Sequence, residues 1–313
     1  MKPIICVGHA ALDYVYRIDA FPPVPTKVRS LEHIDSGGGM AANAAATISR
    51  LGAPVELWSR TGADAAGGRI RALLEAEGVD VRFVMVHDGA RSSTSAVIVD
   101  SKGDRLIVGE RDHAMPMDAN WLPLDRIAGA SAVLSDLRWV EGTRAAFTAA
   151  RAAGVPTVLD ADLGGGGVLE AFLALADYAI FSGPALDSFG PSDDDARRLG
   201  RVLAMGVRHA GVTRGAEGYY WLGEDGKAGH QPAFHLEVVD TTGAGDAFHG
   251  AFAWALAAGR RPAECARIAA AVSALKCRRL GARSGLPTLA ELDSFLAANP
   301  ANKEPRGPSG PRA

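Results

Sequence analysis

The sequence predicts an α/β protein, a three-layer α/β/α domain with a central, mostly parallel sheet and a small antiparallel β lid. Three observations carry this. Beyond residue 132, short apolar runs alternate with helix-length segments, the pattern of a parallel sheet covered on both faces. Segments 13–19, 27–34, 93–100 and 105–112 fall outside that series and alternate polar with apolar side chains, which suits a half-exposed sheet. The chain has 313 residues and 48% hydrophobic content, ample for one sizeable core.

Taken in order, residues 4–8 read as a buried first strand, and 13–19 as a lid strand in a different sheet. A second lid strand is expected at 27–34. A helix of small residues follows at 40–51, entered through Ser36-Gly37-Gly38-Gly39 and ended by Gly52. A helix at 64–77 comes next, then a lid hairpin of 93–100 and 105–110 around Ser101-Lys102-Gly103-Asp104. The main series is strand 132–135, helix 141–153, strand 157–160, helix 168–176, strand 178–181, helix 192–205 and strand 209–213. A hairpin around 219–222 and helices to about 258, at 262–277 and at 289–298 complete a domain over 1–298. Residues 299–313, rich in Pro, Gly and Ser and without periodicity, read as a disordered tail.

A net charge of −3 and a pI near 6.2, with no basic block, exclude a general nucleic-acid binder and point to a small-molecule partner. The N-terminal apolar run is too short for a signal peptide and nothing reaches membrane-spanning length, so the expectation is cytoplasmic. Cys6, Cys265 and Cys277 lack metal-ligand spacing and read as buried, reduced thiols.

The chemistry concentrates in one stretch, where the β-branched run at Val239 breaks into Gly243-Ala244-Gly245 and opens an alanine-rich helix. The first N–H groups of such a helix lack intrahelical partners and the dipole there is positive, so phosphate is the natural ligand. Asp246 stands among those donors. A carboxylate there repels an anion unless it has a proton to take. No G-x-x-x-x-G-K-[ST] run is present, which excludes a P-loop enzyme.

The run from Asp240 to Gly250 resembles the C-terminal signature of the PfkB (ribokinase-like) carbohydrate kinases, with every position of D-T-x-G-A-G-D-x-F-x-G filled. The resemblance implies a ribokinase-like fold and in-line transfer of the γ-phosphate of ATP, with Mg²⁺ bridging the phosphates. It implies Asp246 as base toward a sugar hydroxyl, and Gly243, Ala244 and Gly245 holding the developing charge. Gly37-Gly38-Gly39-Met40-Ala41-Ala42-Asn43 is similar to the family's first signature, which places the glycines and Asn43 against the sugar and Asp13 on its hydroxyls. Val212-Thr213-Arg214-Gly215-Ala216-Glu217-Gly218 resembles the nucleotide turn T-x-G-x-x-G, with Thr213, Gly215 and Gly218 near ATP together with Thr242, Gly243 and Gly245; as bare sequence it equally reads as a hairpin turn. Asp240 and Thr242, with the backbone of 277–285, correspond to the family's monovalent-cation loop, which implies K⁺. One departure stands out: where the family carries N-x-x-E, this chain has Ser182 and Ala185.

Longer stretches, including Ser135-Asp136-Leu137-Arg138-Trp139 and His230-Gln231-Pro232-Ala233-Phe234, resemble the sulfofructose kinase branch. That implies phosphorylation of 6-deoxy-6-sulfofructose on its 1-hydroxyl. Arg138 after a core strand and Lys27 at the start of a lid strand would supply a guanidinium fork and a second cation for a three-oxygen anion. Gly109 stands where that branch can place a polar sulfonate contact. The alternatives are a kinase of a neutral ketose or ribose, of fructokinase, ketohexokinase or ribokinase type, and a non-catalytic regulator that binds sugar or nucleotide. A lid with exposed sheet edges predicts a homodimer.

Overall fold

A computed structural model describes residues 1–162, 168–190 and 194–300. In chain order its elements are β1 (Ile4–Val7), β2 (Ala11–Arg17), β3 (Glu32–Gly38), α1 (Met40–Arg50), β4 (Val55–Gly62), α2 (Ala65–Ala76), β5 (Val84–His87), β6 (Ser93–Val99), β7 (Arg105–Glu110), β8 (Ala132–Asp136), α3 (Val140–Ala153), β9 (Thr157–Ala161), α4 (Val168–Leu173), β10 (Tyr178–Ser182), α5 (Gly183–Asp187), α6 (Asp195–Ala204), β11 (His209–Thr213), β12 (Tyr219–Gly223), β13 (Ala228–Gln231), α7 (Ala244–Ala257), α8 (Pro262–Lys276) and α9 (Leu289–Ala298).

Nine strands form the main sheet in the order β13-β12-β11-β10-β9-β8-β1-β4-β5, parallel from β11 to β5, with β12 and β13 added as an antiparallel ribbon. Alternate residues of each strand enter different cores: Ile4 and Cys6 pack toward α1, α7 and α8, while Ile5 and Val7 pack toward α3 and α6. Burial on both faces is why these strands read as continuous apolar runs. The lid is a second sheet, β3-β2-β6-β7. Its antiparallel pairs β3·β2 and β6·β7 meet at a parallel β2·β6 seam. Its core is small: Val15, Val97 and Val99, with Ile34 and, from the body, Leu280.

Three differences from the sequence reading have physical causes. β4 and β5 were not anticipated, because Glu56 and Arg60 interrupt the apolar run of β4. Glu56 is buried only because Arg126 pairs with it and the Trp58 indole donates to it at 3.0 Å. The second lid strand begins at Glu32 rather than at Lys27, since β2 ends at Arg17, the partner of Glu32, and offers nothing for earlier residues to pair with. It then runs on through Ser36-Gly37-Gly38 before Gly39, at φ 88°, turns the chain into α1. Of the expected tail, 301–313 lie outside the described residues, as do the first residues expected for the 192–205 helix. All three cysteines are free and buried, as expected. Among the described residues no helix is long and apolar enough to cross a membrane.

Candidate active site

The carboxyl ends of the parallel strands, the first turn of α7 and the inner face of the lid enclose a cavity of about 880 Å³, within the usual range for small-molecule sites. Asp246 sits in the first turn of α7 behind Gly243, whose φ of 74° admits only glycine without strain. A Cβ at Gly243 would also lie 2.8 Å from that of Ala282. Asn43 Nδ2 donates to Asp246 Oδ2 at 2.7 Å, across more than half the chain. Small residues make that meeting feasible: the α1 face is alanine-rich, and Gly250 sits so close that an added Cβ would stand 2.6 Å from the Ala44 carbonyl. Enclosure, together with the carboxylates of Asp136, Asp162 and Asp13, pushes the Asp246 pKa up to about 6 against the Asn43 hydrogen bond. A carboxyl so placed is a base near neutral pH.

Asp13, near the end of β2 where it meets the body, is buried and also pushed up to about 6, chiefly by loss of hydration, with the Ser95 hydroxyl and the Arg283 charge opposing. Arg283 was not anticipated. It is 5% exposed, and its Nε donates to Asn43 Oδ1 at 2.8 Å while Nη2 donates to the Gly38 carbonyl at 3.2 Å. This fixes the Asn43 amide with nitrogen toward Asp246. The glycine run now has a steric reason: a Cβ at Gly37 would fall 2.1 Å from Arg283 Nη1, and one at Gly38 would fall 2.4 Å from the Asp13 carboxyl. Gly37 and Gly38 therefore lie behind the cavity, and Gly39 lines it.

Asp136 organises three segments. Its carboxylate accepts from the backbone N–H groups of His9 (2.8 Å), Ala41 (3.0 Å) and Arg138 (2.8 Å). Arg138 and Arg111 line the cavity there, beside His9. His9 Nε2 is buried with no protein partner, and burial together with Arg111, Arg138 and Arg60 holds that ring neutral, its pKa near 3. A neutral ring nitrogen without a partner among cations suits an anionic ligand group. Lys27 is elsewhere: it is exposed, in irregular chain, and does not line the cavity.

Ala244, Gly245 and Thr242 also line the cavity, and the Thr242 hydroxyl is buried without a partner. A Cβ at Gly245 would meet nothing within 4 Å. Thr213, Gly215 and Gly218 also line the cavity, on the tight connection between antiparallel β11 and β12, so the T-x-G-x-x-G stretch is the turn of a hairpin. Asp162 accepts from the Ser182 hydroxyl at 2.6 Å and lies 4.0 Å from Arg138 Nη2. Asp160 lies beside them, pushed up by burial and by Asp246 and Asp162, with His249 at 3.5 Å. These acids stand next to Ser182, where the N-x-x-E pattern is missing. An orphaned hydroxyl, free helix N–H groups and a carboxylate facing the cavity fit a nucleotide polyphosphate with its divalent ion. Among the described residues no cluster of three or more His, Cys, Asp or Glu is arranged to hold a metal alone.

The stretch that corresponds to the monovalent-cation loop is tied by its own hydrogen bonds. Asp240 is fully buried and away from the cavity. Its carboxylate accepts from the N–H groups of Thr242 (2.8 Å) and Gly281 (2.7 Å), and its carbonyl accepts from the Lys276 ammonium at 2.8 Å.

Known proteins place this site in a family. Residues 1–289 match the model of the pfkB family carbohydrate kinases. The chain is 29% identical to the bifunctional protein HldE of Caulobacter vibrioides over 97% of its own length, but it spans only 65% of that protein. It is 28% identical to an ATP-dependent ribose-1-phosphate kinase of Halopiger xanaduensis, covering 95% of this chain and 99% of that one. A crystal structure of a provisionally named ribokinase from Agrobacterium tumefaciens superposes with a TM-score of 0.92 at 34% identity, over 96% of this chain and 99% of that one. The chain is an enzyme with the ribokinase-like fold and belongs to the pfkB family of carbohydrate kinases.

Proposed function

We propose that this kinase transfers the γ-phosphate of ATP to a hydroxyl of a sugar that carries an anionic group, and that the sugar is 6-deoxy-6-sulfofructose, phosphorylated on its 1-hydroxyl. The observation that carries the reading is the lining of one cavity. It brings Asp246 and the turn at 242–245 together with Arg138, Arg111 and the unpartnered His9 nitrogen. The Halopiger relative named above is by its name a kinase of a phosphorylated sugar, which agrees with an anionic acceptor.

In this mechanism Asp13 and Asn43 hold the sugar, and Asp246 takes the proton of the attacking hydroxyl. The α7 N-terminus, the Thr242 hydroxyl and the N–H groups of Gly245 and Asp246 stabilise the charge on the transferred group. ATP would lie along Thr213, Gly215 and Gly218. Mg²⁺, which keeps several of its waters, would be held through Asp162 and Ser182 and would neutralise phosphate charge. Non-catalytic binding is disfavoured by the intact Asp246 in its turn.

Turnover of 6-deoxy-6-sulfofructose, fructose 6-phosphate, fructose and ribose by wild type and Arg138→Ala tests the assignment. Losing a charge-assisted fork should cost about 10-fold or more in kcat/KM for the anionic sugars and little for the neutral ones. Equal losses on all four, or a wild-type preference for fructose or ribose, would replace the reading with that of a neutral-sugar kinase.

A further inference from the structure

The segments that would share a monovalent cation, 239–242 and 277–285, are already tied together from within. Lys276, the last residue of α8, is 0% exposed, and its ammonium donates to the Asp240 carbonyl at 2.8 Å. The Cys277 carbonyl accepts from the N–H groups of Val239 (2.8 Å) and Asp240 (3.1 Å), and the Asp240 carboxylate reaches back to Gly281 at 2.7 Å. The loop closes tightly over the lysine: a Cβ at Gly285 would fall 2.1 Å from the Lys276 carbonyl.

Two consequences follow from elementary electrostatics. A dehydrated K⁺ needs several carbonyl oxygens in place of its water, and here the Asp240 carbonyl already accepts from an ammonium and the Cys277 carbonyl from two backbone N–H groups. A cation on the Asp240 carboxylate would also stand against an ammonium already hydrogen-bonded to the same residue, in a site that water does not screen. Burial holds the Lys276 pKa below its usual value, with Asp240 and Cys277 beside it opposing.

We propose that Lys276 is a tethered counter-ion that takes the place of a monovalent cation, so that the phosphate turn at 241–246 is held in shape without K⁺. The ammonium arrives with the chain and cannot be removed by dialysis. Its work is positional, since it touches neither the cavity nor, on this reading, the substrates.

The test compares the intact enzyme in chloride salts of K⁺, Na⁺ and choline at fixed ionic strength. Wild type should keep its turnover within about twofold and its Tm unchanged, and should not bind Tl⁺, a K⁺ mimic, by thallium NMR. Lys276→Met should lose Tm and turnover in choline and regain both with K⁺ or NH₄⁺, a rescue of about fivefold or more, the lower range of a real coupling. Activation of wild type by K⁺ of that size, or Tl⁺ binding to it, would overturn the proposal; so would a folded Lys276→Met that is indifferent to every cation. If that variant does not fold, the wild-type salt series and Tl⁺ measurement still decide. Tm and Tl⁺ need no sugar, so this outcome is independent of the substrate assignment.

Discussion

Asp246 is held at a cost, because a carboxylate enclosed beside other carboxylates prefers its proton. Raised from an ordinary value to about 6, it binds a proton in the folded chain between pH 4 and 6 that the unfolded chain has released. Its contribution therefore lowers stability as pH rises through that window, and catalysis needs the form that stability disfavours. kcat/KM should fall tenfold per unit as pH drops below about 6, and Asp246→Asn should lose about 10²–10⁴-fold in turnover while its Tm at pH 7.5 holds or rises. A pH profile flat down to 5, or near-normal turnover of Asp246→Asn, would remove Asp246 from the base's role. Asp246 and Asn43 were legible in the sequence because each sits in a contiguous motif. Arg283 and His9 were not, because their roles exist only through partners distant in the chain: Arg283 fixes an amide 240 positions away. Lys27 was misplaced for the converse reason, since a lid strand that starts too early carries a side chain into the wrong place.

At the scale of elements, the site depends on how closely α1 and α7 approach, and Gly250 sets that distance. Gly250→Ala forces a Cβ to within 2.6 Å of backbone, so it should cost about 1–3 kcal/mol and, by shifting Asn43 from Asp246, lower kcat/KM as well. Gly68→Ala in α2 is the control. Its Cβ would meet nothing within 4 Å, so the same change there should stabilise by about 0.5–1 kcal/mol. Melting curves and steady-state rates for both variants separate packing from propensity; a tolerated Gly250→Ala would show that the helices can move apart. The alternation of the parallel sheet was legible wherever strands were uniformly apolar. β4 escaped because its burial depends on an ion pair with Arg126, seventy residues on, which periodicity cannot register.

For the molecule as a whole, the lid raises the question of assembly. β7 is an edge strand on whose outer face Leu106 and Val108 are 51% and 62% exposed, an apolar edge of the kind that pairs with another chain. A homodimer through the lid is the expected state. Light scattering at micromolar concentration should give twice the 32.5 kDa chain mass, and Val108→Lys should shift it toward the monomer. A wild-type monomer would leave that edge without a partner and refute the expectation.

The lid's own core has a further implication, for biosynthesis. Its strands are complete by Glu110, but Leu280 closes their apolar cluster, from the same loop whose Gly281 is bound by Asp240. A nascent chain therefore carries an unplugged lid until more than half of the protein has followed. Only when the ribosome has delivered residues 280 and 281 are the lid core and the turn at Asp240 fastened, and one late loop fastens both.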